Sequence, residues 1–253
     1  MTGMNYSNVK YDEKLSLTTT GMINMAKLTW LGHSAFLLEA KDRILFDPFL
    51  TGNPVAKTKP SEVKANIVLV SHGHGDHVGD TVDIAKSNKA TVAAIYELAT
   101  RFESKGAKAD PLNIGGGATI ADTHVKMVNA LHSSDIFEGD SLQTGGSPAG
   151  FVVDSGVTLY HAGDTGYFGD MGWIGEFHKP KVALLPIGDR FTMGVREAAY
   201  AASVIQPELV IPMHFNTFPL IEQNGDKFKE EVSKQSGGKV KARIMKVGET
   251  IEI

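Results

Sequence analysis

The chain has 253 residues, of which 42% are hydrophobic and 21% charged, with a formal net charge of −4. That is enough apolar material for one sizeable α/β core, and the acidic balance supplies no general basic field to attract nucleic acid. With no cysteine, disulfides and thiolate metal ligands are excluded, and no apolar run approaches the roughly 18 residues of a membrane-crossing helix.

Residues 1–24 are polar and lack the apolar stretch of a secretory signal. They are read as a mobile extension to a domain spanning 25–253, and the expected location is cytoplasmic. LTWLGHSAFLLEA (28–40) and RILFDPFL (43–50) read as two strands around a turn at Lys41–Asp42. Asp47-Pro48 then opens a loop rich in turn residues, which runs to Pro60. Asn66–Val70, apolar and β-branched, predicts a buried strand.

A helix is expected near 80–88, with Asp76 or Asp80 as its cap. Next come a strand at 90–95 and a helix over Tyr96–Lys105, stopped by Gly106. Strands follow at 118–123 and 124–134, then an exposed Gly/Ser/Asp-rich loop at 135–149. FVVDSGVTLY (151–160) predicts a hairpin with a two-residue Ser155-Gly156 turn. Helix-like 166–178, strand 181–188, helix 194–205, strand 209–215, helix 219–235 and strand 241–247 complete the chain. Strand-rich stretches followed by helices in each half imply α/β layers.

The chemistry concentrates after Asn66–Val70, in SHGHGDH. His72, His74, Asp76 and His77 place four potential ligands within six residues at a strand's carboxyl end. Imidazole and carboxylate are normal ligands of zinc and related divalent ions. Residues i and i+2 of an extended segment point to one side, so His72 and His74 can share an ion. Asp76 and His77 follow the turn and can serve a second ion. Gly73 and Gly75 suit a tight loop, because glycine adds no bulk and tolerates positive φ.

HxHxDH after an apolar strand resembles the metallo-β-lactamase superfamily, and the resemblance extends over about residues 25–253. It implies a four-layer αβ/βα sandwich holding two divalent ions, zinc by default and manganese also compatible. A two-metal centre needs further ligands downstream. His132 (NALHSSD), Asp164 (HAGDTG) and His214 (PMHFN) follow strands in the family's order. Carried over, the resemblance assigns His72, His74 and His132 to one ion, Asp76, His77 and His214 to the other, and Asp164 to both.

Four more residues are candidates for outer positions or the pocket. Asp47 either orients an imidazole or makes an Asp-Pro turn. His33 and His161 are read either as outer partners of the ligands or as packed strand histidines. Asp189 either lines the pocket or caps the helix after Gly194. WLGHSAF, FDPFLTGNP, SHGHGDH, HAGDTGYF and PIGDRFTMG together look like the group that includes L-ascorbate-6-phosphate lactonase.

The expected activity is hydrolysis of a lactone or other carboxylic ester of a small molecule by a metal-bridging hydroxide. Asp76 and Asp164 would fix the nucleophile and accept its proton. Two other readings stand beside it: a phosphodiesterase acting on a nucleotide or lipid head group, and a metal-binding protein without catalysis.

Overall fold

The computed structural model describes residues 25–253. The extension read at residues 1–24 lies outside the described residues.

The first half of the chain builds one mixed sheet. β1 (Lys27–Gly32), β2 (Ala35–Glu39) and β3 (Arg43–Phe46) run antiparallel. β4 (Ile67–Leu69), β5 (Thr91–Ile95) and β6 (Lys108–Leu112) continue it in parallel. The β4–β5 crossover carries the single turn α1 (Gly75–Val78) and α2 (Thr81–Asn88), and α3 (Tyr96–Ser104) joins β5 to β6. All side chains of β4 and β5 are buried, as expected of parallel strands covered on both faces. Pro111 sits in β6, a sheet edge, where its missing N–H costs no ladder bond.

The second half repeats the plan. β7 (Gly117–Ile120), β8 (Thr123–Asn129), β11 (Ala149–Asp154) and β12 (Thr158–His161) are antiparallel neighbours. Between β8 and β11 the chain forms a separate hairpin, β9 (Ile136–Glu138) and β10 (Ser141–Gln143). β13 (Val182–Pro186), β14 (Leu209–Met213) and β15 (Lys241–Ala242) extend the sheet in parallel from β12. β16 (Thr250–Glu252) crosses back to pair with β1.

The connecting helices are α4 (Met171–His178), α5 (Val195–Ile205) and α6 (Gly225–Ser236), with α5 packed between the other two. α5 turns small Ala198, Ala199, Ala201 and Ala202 inward. Asn224 caps α6 by accepting from the amides of Asp226 and Lys227.

The two seven-stranded sheets share one core. Phe46 of β3 stacks on His161 of β12, with ring centroids 5.0 Å apart. Each large apolar side chain buried here contributes about 1.5–3 kcal/mol. The result is an α/β sandwich of the metallo-β-lactamase type, with the carboxyl ends of β3, β4, β8, β12 and β14 converging at one edge. Among the described residues no helix is long and apolar enough to cross a membrane.

Several elements differ from the sequence expectation. LTWLGHSAFLLEA is two strands rather than one, folded at His33–Ser34 where His33 takes φ 55°. The loop at 135–149 contains the β9–β10 hairpin. The β11–β12 turn uses Ser155, Gly156 and Val157, because Asp154 pairs with Thr158. Pro219–Ile221 form a separate 3-10 turn before α6. The strand expected at 241–247 is paired as strand only over Lys241–Ala242, and β16 supplies the last strand.

Candidate metal centre

The loop after β4 turns two histidines together. His72 Nε2 lies 2.9 Å from His74 Nδ1, and the His132 ring stands 5.1 and 5.0 Å from the rings of His72 and His74. One nitrogen from each of the three lies within 4.8 Å of the others. Ligands of a single tetrahedral zinc, each about 2.0–2.1 Å from it, stand about 3.3 Å apart. The trio is therefore of the right size for one ion. Burial, reinforced by neighbouring imidazoles, pushes the affinities of His72, His74 and His132 for protons down. That favours the neutral, ligating form.

Asp164, three residues beyond β12, lies at the centre. Its Oδ2 is 2.8 Å from His214 Nε2, 3.3 Å from His77 Nε2 and 3.7 Å from His132 Nε2. One carboxylate oxygen thus faces members of both halves of the site. His77 and Asp76 ride on α1, and His33, Asp76, His77 and His214 form a second group with ligand atoms within 4.8 Å. Burial would raise the Asp164 pKa, but His214 and His77 overcome it and hold the carboxyl well below its usual range. Burial likewise opposes a charge on His77. Asp164 and Asp47 outweigh it and raise the imidazole well above its ordinary value.

The donor set fits divalent ions. Asp164 Oδ1, His77 Nε2 and His214 Nδ1 are buried without a hydrogen-bond partner among the described residues. Such orphaned atoms are costly. Two of them, His77 Nε2 and Asp164 Oδ1, belong to side chains that crowd into the same imidazole–carboxylate cluster.

Outer contacts orient the inner side chains. Asp47, buried at φ 40°, accepts from the Ser71 amide and the Ser71 hydroxyl, both at 2.7 Å, and from His77 Nδ1 at 2.8 Å. The Ser71 hydroxyl, donating to Asp47, accepts from His72 Nδ1 at 2.9 Å. His72 and His77 are both left with Nε2 facing the cluster, the carboxylate–histidine arrangement of metal sites.

His33 lies inside the second group, between Thr217 Oγ1 at 2.9 Å and Asp76 Oδ2 at 3.2 Å. Burial pushes its pKa down to about 4, so near neutral pH it is a neutral imidazole donating to Asp76. The Asp76 carboxyl is opposed by burial but is held low by that bond and by His77.

His161 does not reach the cluster. Its Nε2 donates to Ser34 O at 2.9 Å and its Nδ1 accepts from the Gly163 amide at 3.2 Å. It is a packed strand histidine that steadies the backbone just before Asp164. Asp189 is exposed, at φ 67° in a turn closed by its amide on Met193 O. Among the described residues it belongs to none of the ligand groups, and no side chain caps α5. Asp80 stands at the start of α2 without capping it. Its carboxylate accepts instead from Leu50 and Thr51 and holds the loop after Asp47.

Residues 42–215 match the family model for a beta-lactamase superfamily domain. UPF0173 metal-dependent hydrolases of Methanosarcina barkeri and Archaeoglobus fulgidus are 48% and 49% identical over 228 residues, covering 90% and 89% of this chain and 98% of each relative. The chain belongs to the beta-lactamase superfamily, among its UPF0173 metal-dependent hydrolases. Igni18, a metallo hydrolase from the archaeon Ignicoccus hospitalis, has a similar structure, with 38% identity, a TM-score of 0.82 and coverage of 91% of this chain and 99% of that one.

Within this superfamily member, sequence reasoning missed Ser71, Ser133 and Thr217. Ser71 has a local signal, since it immediately precedes His72. Ser133, whose hydroxyl lies 3.2 Å from His74 Nε2, and Thr217, 184 positions from His33, have none. Gly73 serves close approach rather than positive φ, because a Cβ there would lie 2.3 Å from Ser134 O.

Proposed function

We propose that the protein is a dinuclear metal hydrolase acting on a lactone or other carboxylic ester of a small molecule in the cytoplasm. His72, His74 and His132 would hold one ion, Asp76, His77 and His214 the other, and Asp164 would touch both. Zinc is the default and manganese is compatible with the same donors. Held by these residues, divalent ions would supply Lewis acidity toward water near pH 7 and toward the scissile carbonyl.

The protein's own groups do the rest. Ser71 holds the Nδ1 proton of His72 and leaves its Nε2 free, while Asp47 holds the Nδ1 proton of His77, so that an ion bound there would displace only the Nε2 proton. His33 Nε2–H holds one oxygen of Asp76, so that the carboxylate keeps a set orientation for accepting a proton. Asp164 Oδ2 supplies negative charge shared by both halves.

The observation that carries this reading is the position of Asp164 Oδ2 between His214, His77 and His132. The likeness of its motifs to the L-ascorbate-6-phosphate lactonase group supports a lactone. The test is metal content per chain on protein purified without added metal, with hydrolysis of a lactone and a phosphodiester measured with and without chelator. Near two ions and chelator-sensitive lactone cleavage are expected. Cleavage of the phosphodiester alone would replace the ester by a phosphodiester as substrate, and full metal content without any turnover would leave a binding protein.

A further inference from the structure

Beside His74, α1 and the β9–β10 hairpin enclose a cavity of about 550 Å³. His74 and Ser133 form the end that meets the first histidine cluster, and Val78, Ile136, Phe137 and Leu142 supply an apolar wall. Phe137 and Leu142 are direct cross-strand partners, so their side chains share one face of the hairpin. They are 71% and 54% exposed. Single exposed apolar residues need no explanation, but two paired ones opening on a polar cluster make the mixed lining of a ligand pocket.

The hairpin is also held in place, although two strands alone are marginally stable. At its base the Ser134 hydroxyl accepts from the Gly73 amide and donates to Gly145 O, both at 3.1 Å. Near its tip Glu138 pairs with Arg101 and with Lys105, the latter at 3.4 Å. Lys105 is the one cation in the cavity lining, and this pair offsets its charge. A phosphorylated or otherwise anionic group therefore finds little to bind there.

We propose that this cavity is the subsite for an uncharged alkyl or aryl substituent of the substrate, and that Phe137 and Leu142 determine its specificity. The ester-hydrolase reading enters only in placing the scissile bond at His72, His74 and His132. An apolar substituent leaving water for this wall gains up to about fourfold in affinity per methylene.

The test measures kcat/KM of the metal-loaded full chain on γ-butyrolactone, γ-octalactone and γ-decalactone. Wild type is expected to gain about two- to fourfold per added methylene. The double variant Phe137→Ser, Leu142→Ser is expected to lose most of that ratio while keeping wild-type metal content. A flat wild-type series, or a steep series kept by the variant, overturns the proposal. So does conversion of a dimer to a monomer with the ratio unchanged, which would make the hairpin an interface.

If no lactone is turned over, the ester reading fails and binding decides the subsite. Octanoate binding tighter than acetate in calorimetry, with the difference lost in the double variant, supports it. Equal affinities overturn it.

Discussion

Asp47→Asn exchanges one carboxylate oxygen for an amide nitrogen where two imidazoles of the candidate metal centre are oriented. Asparagine tolerates the left-handed backbone at φ 40°, so the change tests the carboxylate rather than chain geometry. The oxygen that accepts the Ser71 amide survives. The oxygen that accepts both Ser71 Oγ and His77 Nδ1 becomes a donor. His77 must then accept at Nδ1 and carry its proton on Nε2, facing Asp164. Ser71 must accept from the new amide and donate to His72 Nδ1, which inverts that ring too. Two charge-assisted hydrogen bonds become neutral ones in a buried site, a loss of about 2 kcal/mol at about 1 kcal/mol each. Loss of an outer partner of this kind weakens metal binding roughly 10- to 100-fold.

The assay is calorimetric titration of metal-free protein with zinc, alongside Ser71→Ala. Asp47→Asn is expected to weaken both sites, and Ser71→Ala only the site that uses His72. Wild-type affinity at both sites in Asp47→Asn would refute the relay.

Asp164→Ala should remove about one metal equivalent and lower kcat/KM by more than the roughly 100-fold typical of outer partners; two bound ions with full activity would contradict its shared position. His33 should make the metal-free protein acid-sensitive. Its folded pKa of about 4 lies below the ordinary 6.5, so the stability from burying it neutral is present above about pH 6.5 and lost as pH falls toward 4, by about 3 kcal/mol. Urea midpoints across that window should flatten in His33→Gln, and an unchanged slope would assign the loss to other groups. Gly73→Ala should displace Ser134 O, which lies 2.3 Å from the added Cβ. It is expected to cost about 1–3 kcal/mol and to weaken the histidine trio's ion, read as a lower Tm and a weaker first zinc site.

Much of the layered fold is legible along the chain, because buried parallel strands such as Asn66–Val70 are apolar runs and helices such as α3 and α5 have local start and stop signals. The turn at His33–Ser34 is not. A histidine at φ 55° carries no local mark, and the fold there depends on β1 and β2 pairing with each other. The hairpin in 135–149 is hidden for a similar reason, since Gly, Ser and Asp suit an open loop equally well. Its pairing is secured by Ser134 at the base and by the ion pair of Glu138 with Arg101 of α3.

The sequence by itself determined the donor types and their strand-end positions, because HxHxDH brings four side chains together within one turn of backbone. Only the tertiary structure decided which groups serve those donors. His33 enters the second group through Thr217 and Asp76, whereas His161 turns to backbone partners and Asp189 to solvent. Asp47 directs two imidazoles at once because β3 lies beside β4. These distinctions depend on contacts between residues tens to hundreds of positions apart, set by sheet pairing and shared burial, and no local pattern of residue types encodes them.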